Sequence, residues 1–325
     1  MSSVPDTVVE VENGVSPNGT GLPAKPEDRL PERARRRWVA RSGRPPTFAR
    51  AVATAGGVSL FVLAAWSIVY LLVLTNVEHA RSQRKLYATF RSDAAQALAP
   101  VGGSIAPGTG VALISIPRAG LHDEVVVEGT TSDNLENGPG HLRDTPLPGQ
   151  PGVSVIFGRA SLFGAPFHNI PLLSKGDSID VTTGQGKFRY VIDDIRQPSA
   201  PTPAPPKTGS RLTLVTSRST GWPVGVSAIR AIYVDATLQG QTQPAPTGRP
   251  TAVVSNEQVM AGDTGAITWM QIVLWLQLLV AVMTLLAWVQ TRWQRSQVWL
   301  VGFPVLLAVL WGLSTTAVRV LPNLM

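Results

Sequence analysis

Three long uncharged runs limit what this chain can fold into. Residues 51–74, 267–289 and 298–318 contain no Asp, Glu, Lys or Arg. As a helix, each is long enough to cross a bilayer core of about 30 Å. The second run carries Trp269, Trp275 and Trp288, and the third carries Trp299 and Trp311. Tryptophan at the ends of such runs suits the headgroup zone. A signal peptide would have a shorter apolar core and a small-residue cleavage site. The first run instead ends in Thr75, Asn76, Val77 and Glu78, so it is expected to stay as a signal anchor. The stretch 291–297 between the second and third runs has room only for a tight helical hairpin.

The positive charges orient these spans. The formal net charge is +7, and Arg29, Arg33, Arg35, Arg36, Arg37, Arg41, Arg44 and Arg50 crowd in front of the first run. Arginine there fits a cytoplasmic flank drawn to anionic headgroups. No basic face interleaved with aromatic residues is present, which argues against a nucleic-acid partner. With the flank inside, residues 75–266 face outward, and Arg292 and Arg295 return to the cytoplasm. Two separate basic clusters thus agree on a multi-pass cell-membrane protein with a cytoplasmic N-terminus and an extracytoplasmic domain.

The segments between the runs differ in character. Residues 1–50 read as a disordered tail ending in the basic flank. Residues 75–110 read as a stalk helix and a Gly/Pro linker, and 239–266 as a second linker. Residues 111–238 carry short apolar runs bounded by turn residues, at 111–116, 124–128, 153–157, 178–183, 187–192, 211–216 and 229–236. Gly184-Gln185-Gly186 is a hairpin turn signal. About seven such strands point to a small barrel or sandwich. The Pro-rich stretch 198–206 cannot pair as a central strand. The expected class is mainly β outside the membrane, with three transmembrane helices.

Several motifs in this region resemble those of the sortase family, the membrane-anchored transpeptidases of Gram-positive cell surfaces. They are Ile116-Pro117-Arg118-Ala119-Gly120-Leu121, Leu135 with Asn137-Gly138-Pro139-Gly140-His141, and Thr145 to Gly152. Val155-Ile156-Phe157-Gly158, Gly164-Ala165-Pro166-Phe167, Lys175-Gly176-Asp177 and Leu212-Thr213-Leu214-Val215-Thr216 follow in family order. The resemblance covers roughly 111–238 and implies a closed sortase-like β-barrel. The Arg and Ala/Pro richness suggests an actinobacterial source.

Carried over by position, the resemblance implies a dismantled active site. Arg159 stands where the family has its catalytic His, and Ser217 stands where it has its nucleophilic Cys. Arg230 matches the family's last-strand Arg. The chain has no cysteine at all, which excludes disulfides, thiolate metal sites and thiol catalysis. A Ser hydroxyl needs an adjacent general base, and a guanidinium keeps its proton at physiological pH. Of the four histidines, His141 lies in the GPGH segment and His168 follows Ala-Pro-Phe. Both are expected to be loop or surface residues. No clustered ligand set suggests a metal, and no cofactor is expected.

The leading expectation is a pseudoenzyme that binds a peptide sorting signal or another envelope protein, with Arg159, Ser217, Arg230 and His141 as binding candidates. One alternative is a Ser-dependent transpeptidase or hydrolase that uses Ser217 with His141 or His168 as base. Another is a structural envelope protein assembling through the hairpin at 267–318.

Overall fold

The computed structural model describes residues 61–206, 208–218, 230–246, 265–289 and 295–321. The expected tail at 1–50, the first part of the anchor run, and most of the second linker and of the inter-helix loop lie outside these residues.

The apolar anchor and the charged stalk, read separately from composition, form one helix. This helix, α1, runs over Phe61–Ala95. Its turn widens to a π-helical stretch at Tyr70–Leu74, where the chain passes from apolar to charged residues. A widened turn of this kind commonly marks a functional position in a helix. Gln83 in the charged half staples α1 to the outer domain. Its amide donates to the carbonyls of Val125 (3.1 Å) and Asn137 (2.7 Å), and its oxygen accepts from Val125 N (2.8 Å).

The outer domain is a closed barrel. Its strands are β1 (Gly110–Ile116), β2 (Leu121–Glu128), β3 (Gly140–His141), β4 (Gly152–Phe157), β5 (Ser178–Thr183), β6 (Gly186–Arg196), β7 (Ser210–Arg218) and β8 (Arg230–Gln239). They close in the order β1-β2-β3-β4-β7-β8-β6-β5. The pairs β2/β3 and β4/β7 are parallel and the others antiparallel. Seven strands fall on the apolar runs of the sequence. The eighth, β3, has two residues inside the GPGH segment and bridges β2 to β4. A two-residue strand leaves no alternation to read, so only its partners reveal it.

Alternation along each strand sets the two faces of the wall. Ile114, Ile156, Ile179, Tyr190, Leu212, Leu214, Val234 and Ala236 point inward and form the core. Phe167, Ile170 and Leu173, from the loop after β4, also join that core. A short helix, α2 (Ser132–Asn137), lies between β2 and β3. Its Leu135 packs on Phe157 and Val215, on the outer face of the wall.

Two further helices follow, α3 (Ala266–Val289) and α4 (Arg295–Val318). With α1 they are long and apolar enough to cross a membrane. Trp66 of α1 donates from Nε1 to Ser314 Oγ of α4 at 3.1 Å, joining the first span to the last.

Candidate functional site

The ends of three neighbouring strands bring the carried-over positions together. Phe157 pairs with Val215, the last matched pair of the parallel β4/β7 ladder. Beyond it, Gly158 N donates to Val215 O (3.0 Å) and Thr216 Oγ1 donates to Gly158 O (3.1 Å). Positions 159 and 217 therefore lie just past one seam. A side chain at Gly158 would overlap the Phe167 ring, so this close approach requires glycine. On the other side of β7, Ser217 pairs with Ala231 and Arg218 with Arg230.

Arg159 does not reach outward. It is fully buried, and its guanidinium is taken up by α2. Nε donates to Leu135 O (3.2 Å), and Nη2 donates to Ser132 O (3.3 Å) and Ser132 Oγ (3.2 Å). The guanidinium carbon lies 4.9 Å from the centre of the Phe163 ring. Nη1 finds no hydrogen-bond partner among the described residues. Burial pulls the Arg159 pKa down to about 10, and the Glu136 charge partly opposes that. The same environment pushes the Glu136 carboxyl up to about 7 by burial, against the attraction of Arg159 and Arg319. Arg319, just past α4, lies 3.0 Å from Asp133 and 3.7 Å from Glu136.

The loop after position 159 is bent to meet the helices. Phe163, Gly164 and Ala165 all have positive φ (51°, 74° and 45°). For the two residues with a Cβ this costs on the order of 1 kcal/mol each. The bend places Leu162 and Phe163 against Tyr70 of α1 and Val318 of α4. Gly164 N also donates to Asn76 Oδ1 of α1 at 2.9 Å. The loop after position 159 is thereby packed against α1 and α4.

Ser217 is buried and continues the outward file of Arg211, Thr213 and Val215 along β7. Arg230 is exposed. Its register with Arg218 gives it the strand face opposite Ser217. The expected pocket of two guanidiniums and a hydroxyl is therefore not what these strands assemble.

His141 is fully buried rather than a surface or loop residue. Its Nδ1 lies 2.9 Å from Glu128 Oε2, and its Nε2 lies 3.0 Å from Pro146 O. It pairs with Ile156, which pairs with Leu214, both inward-facing. His141 thus belongs to the inner face of the wall and Ser217 to the outer. His168, on the exposed loop after β4, donates from Nδ1 to Ala160 O at 2.8 Å.

A cavity of about 430 Å³ runs along the outer face of β4, β7 and β8. Val153, Val155, Phe157, Thr213, Val215 and Tyr233 form its floor. The Pro-rich segment supplies a wall through Pro198, Thr202, Pro203 and Pro205. Arg211 Nη1 ties that wall down by donating to Ala204 O at 2.8 Å. Under the wall sits a buried ion pair that sequence reading missed. Arg196 Nε lies 2.6 Å from Asp235 Oδ2, and Thr213 Oγ1 donates to Asp235 Oδ1 at 2.6 Å. The Arg196 guanidinium carbon stacks 4.3 Å from the Tyr233 ring centre. The only sequence signal for this group was polar residues on strands flanked by apolar ones. Among the described residues, no group of His, Asp or Glu has metal-binding geometry.

The sequence compares directly with known proteins at this point. Residues 114–222 match the family model for the sortase domain. Sortase D of Bacillus subtilis (strain 168) is 35% identical over 92 residues, which are 27% of this chain and 44% of that protein. The chain thus spans less than half the length of that relative. Among solved structures, a Clostridium perfringens sortase D5 transpeptidase is 29% identical. It covers 49% of this chain and 99% of its own, with a TM-score of 0.41. Sortase E of Streptomyces avermitilis is 28% identical, covering 45% of this chain and 97% of its own, with a TM-score of 0.35. The family model runs from within β1 through the end of β7 of the closed barrel, and residues 114–222 of this chain are therefore a sortase domain.

Proposed function

We propose that this protein binds an extended peptide, of the sorting-signal type, in the groove over β4, β7 and β8, and does not cleave it. The observation that carries the reading is a groove of about 430 Å³ over the outward file of β7, lined as far as Val215, in a chain with no cysteine. Extended strands with an apolar floor and polar edges suit a peptide backbone and alternate side chains. In this reading the helices anchor the protein in the membrane of a bacterial cell surface, with the barrel outside. The ligand is a peptide segment of a surface-protein precursor or of another envelope protein.

The bases named from the sequence are poorly suited to chemistry at Ser217, and His168 donates its Nδ1 proton to Ala160 O. A hydroxyl becomes a nucleophile only with a base in hydrogen-bond reach. Arg159, even with its pKa lowered to about 10, stays protonated by roughly a thousandfold at pH 7. His141 faces the opposite side of the barrel wall. Losing general acid–base help alone removes about 10²–10⁴ in rate, and the thiolate is absent as well.

The test uses full-length protein in detergent micelles with fluorescent sorting-signal peptides. Binding is read by anisotropy and cleavage by mass spectrometry. Saturable binding that weakens in Tyr233→Ala, with no cleavage product, is the expected result. Turnover that disappears in Ser217→Ala would overturn the non-catalytic reading. Failure to bind at millimolar peptide would overturn the peptide-binding one.

A further inference from the structure

The membrane helices carry a polar group that the rest of the molecule leaves unserved. Gln277 sits at the middle of the apolar part of α3, Ala266–Leu286. Its side chain is exposed, and no hydrogen bond is made to it by any described residue. Gln271, nearer the start of the same helix, is likewise exposed, whereas hydroxyls at the depth of Gln277 or beyond it are served within the helices. Thr284 donates to Val280 O, Thr315 and Thr316 donate to Gly312 O, and Ser314 accepts from Trp66. In hydrocarbon there is no water to take their place, so an open carboxamide at mid-depth is costly.

The chain's own helices do not serve Gln277, because α4 covers the other side of α3. Trp275 lies against Gly312, where a Cβ would overlap the indole. Leu279, Val282 and Leu286 continue the Trp275 stripe at spacings of three and four and are half-buried. At 100° per residue, Gln277 stands about 160° away from Trp275. Around it lies a shallow hollow lined by Val273, Leu276, Val280 and Ala281.

We propose that two copies of this chain form a parallel dimer through this face of α3, with each Gln277 carboxamide hydrogen-bonding the other. The inference rests on α3 crossing the membrane and is independent of what the groove binds. A carboxamide is both donor and acceptor, so it complements itself. All copies cross the membrane in the same sense. A twofold axis along the bilayer normal therefore sets both Gln277 side chains at one depth without further adjustment. Another membrane partner would have to supply a polar group at that same depth. Interhelical bonds of this type are worth enough to shift dimer dissociation by roughly tenfold.

The absence of native cysteine makes the test clean, because a single introduced cysteine is unique in the chain. Full-length variants are oxidised in membranes at low expression and resolved by size. Val273→Cys, Gln277→Cys, Ala281→Cys and Thr284→Cys lie within about 40° of the proposed axis. Leu278→Cys, Met283→Cys and Leu285→Cys lie at least 80° away at exposed positions. Cross-linked dimer confined to the first set is expected. Gln277→Leu should reduce cross-linking at Ala281→Cys several-fold, with Gln277→Asn keeping part of it. Equal cross-linking in both sets, none in either, or dimer unaffected by Gln277→Leu would each overturn the proposal. No cross-link in the first set, with Gln277→Cys joined instead to a second membrane protein, would do so too.

Discussion

Removing the Arg159 guanidinium separates two accounts of why a charge lies under α2. Arg159→Ala deletes three charge-assisted hydrogen bonds, leaves Ser132 O and Leu135 O short of a donor, and opens a hole beside Phe163. At 3.2, 3.3 and 3.2 Å these bonds are long, and each is worth about 1.5 kcal/mol. Against that stands the cost of burying the charge. Burial lowers the Arg159 pKa to about 10, and roughly 3 kcal/mol of that cost is regained when the cation is removed. With the cavity added, the net loss is about 2–4 kcal/mol. Arg159→Met fills the space without a charge and should cost less than about 1.5 kcal/mol. The assay is amide hydrogen exchange on β4 and β7 peptides of the full-length protein in micelles. Arg159→Ala should speed exchange of their slowest amides by roughly 30- to 1,000-fold, and Arg159→Met by less than about tenfold. Wild-type protection in Arg159→Ala would show that the arginine is not structural. Equal damage from both variants would show that the hydrogen bonds outweigh the burial cost and would refute the reasoning.

Two more outcomes follow from the same geometry. The folded pKa of Glu136 is raised to about 7 from an ordinary 4.5, so its favourable contribution is full below about pH 4.5 and is lost as pH rises through 7. Glu136→Gln should therefore remove up to about 3 kcal/mol of that decline between pH 5 and pH 8, read as pH-dependent exchange of α2 amides; an unchanged profile would exclude Glu136 as its source. In the groove, Arg196→Ala leaves the Asp235 carboxylate buried without its cation and should cost about 3–5 kcal/mol. Arg196→Met with Asp235→Leu should cost much less in the same exchange measurement, and equal losses would argue against a buried pair.

Local pattern was a good guide to the elements. The three uncharged runs form helices long and apolar enough to cross a membrane, and the short apolar runs between turn residues gave seven of the barrel strands. The order of the sortase-like motifs was legible because each sits in a contiguous stretch of a few residues. Continuity was harder to see. Composition changes sharply at Thr75, yet α1 runs straight through it, because helical hydrogen bonds are indifferent to whether side chains meet lipid or water. His141 looked like a loop residue in a Gly/Pro-rich segment. Two residues of backbone pairing and the Glu128 carboxylate draw it inside.

By itself, the sequence determined that this chain has three segments long and apolar enough to cross a membrane, a strand-rich domain with sortase motifs, and no thiol. These are properties of composition and of short-range spacing, and they survive whatever the chain does at long range. Only the tertiary structure decided where the charges went. Arg159 meets carbonyls 24 and 27 positions earlier, Arg196 meets Asp235 39 positions later, and Arg319 meets Asp133, from the far side of the barrel sequence. A buried charge goes to whichever partner can offset its desolvation. That choice depends on which surfaces the barrel and helices bring face to face, and no local pattern carries it.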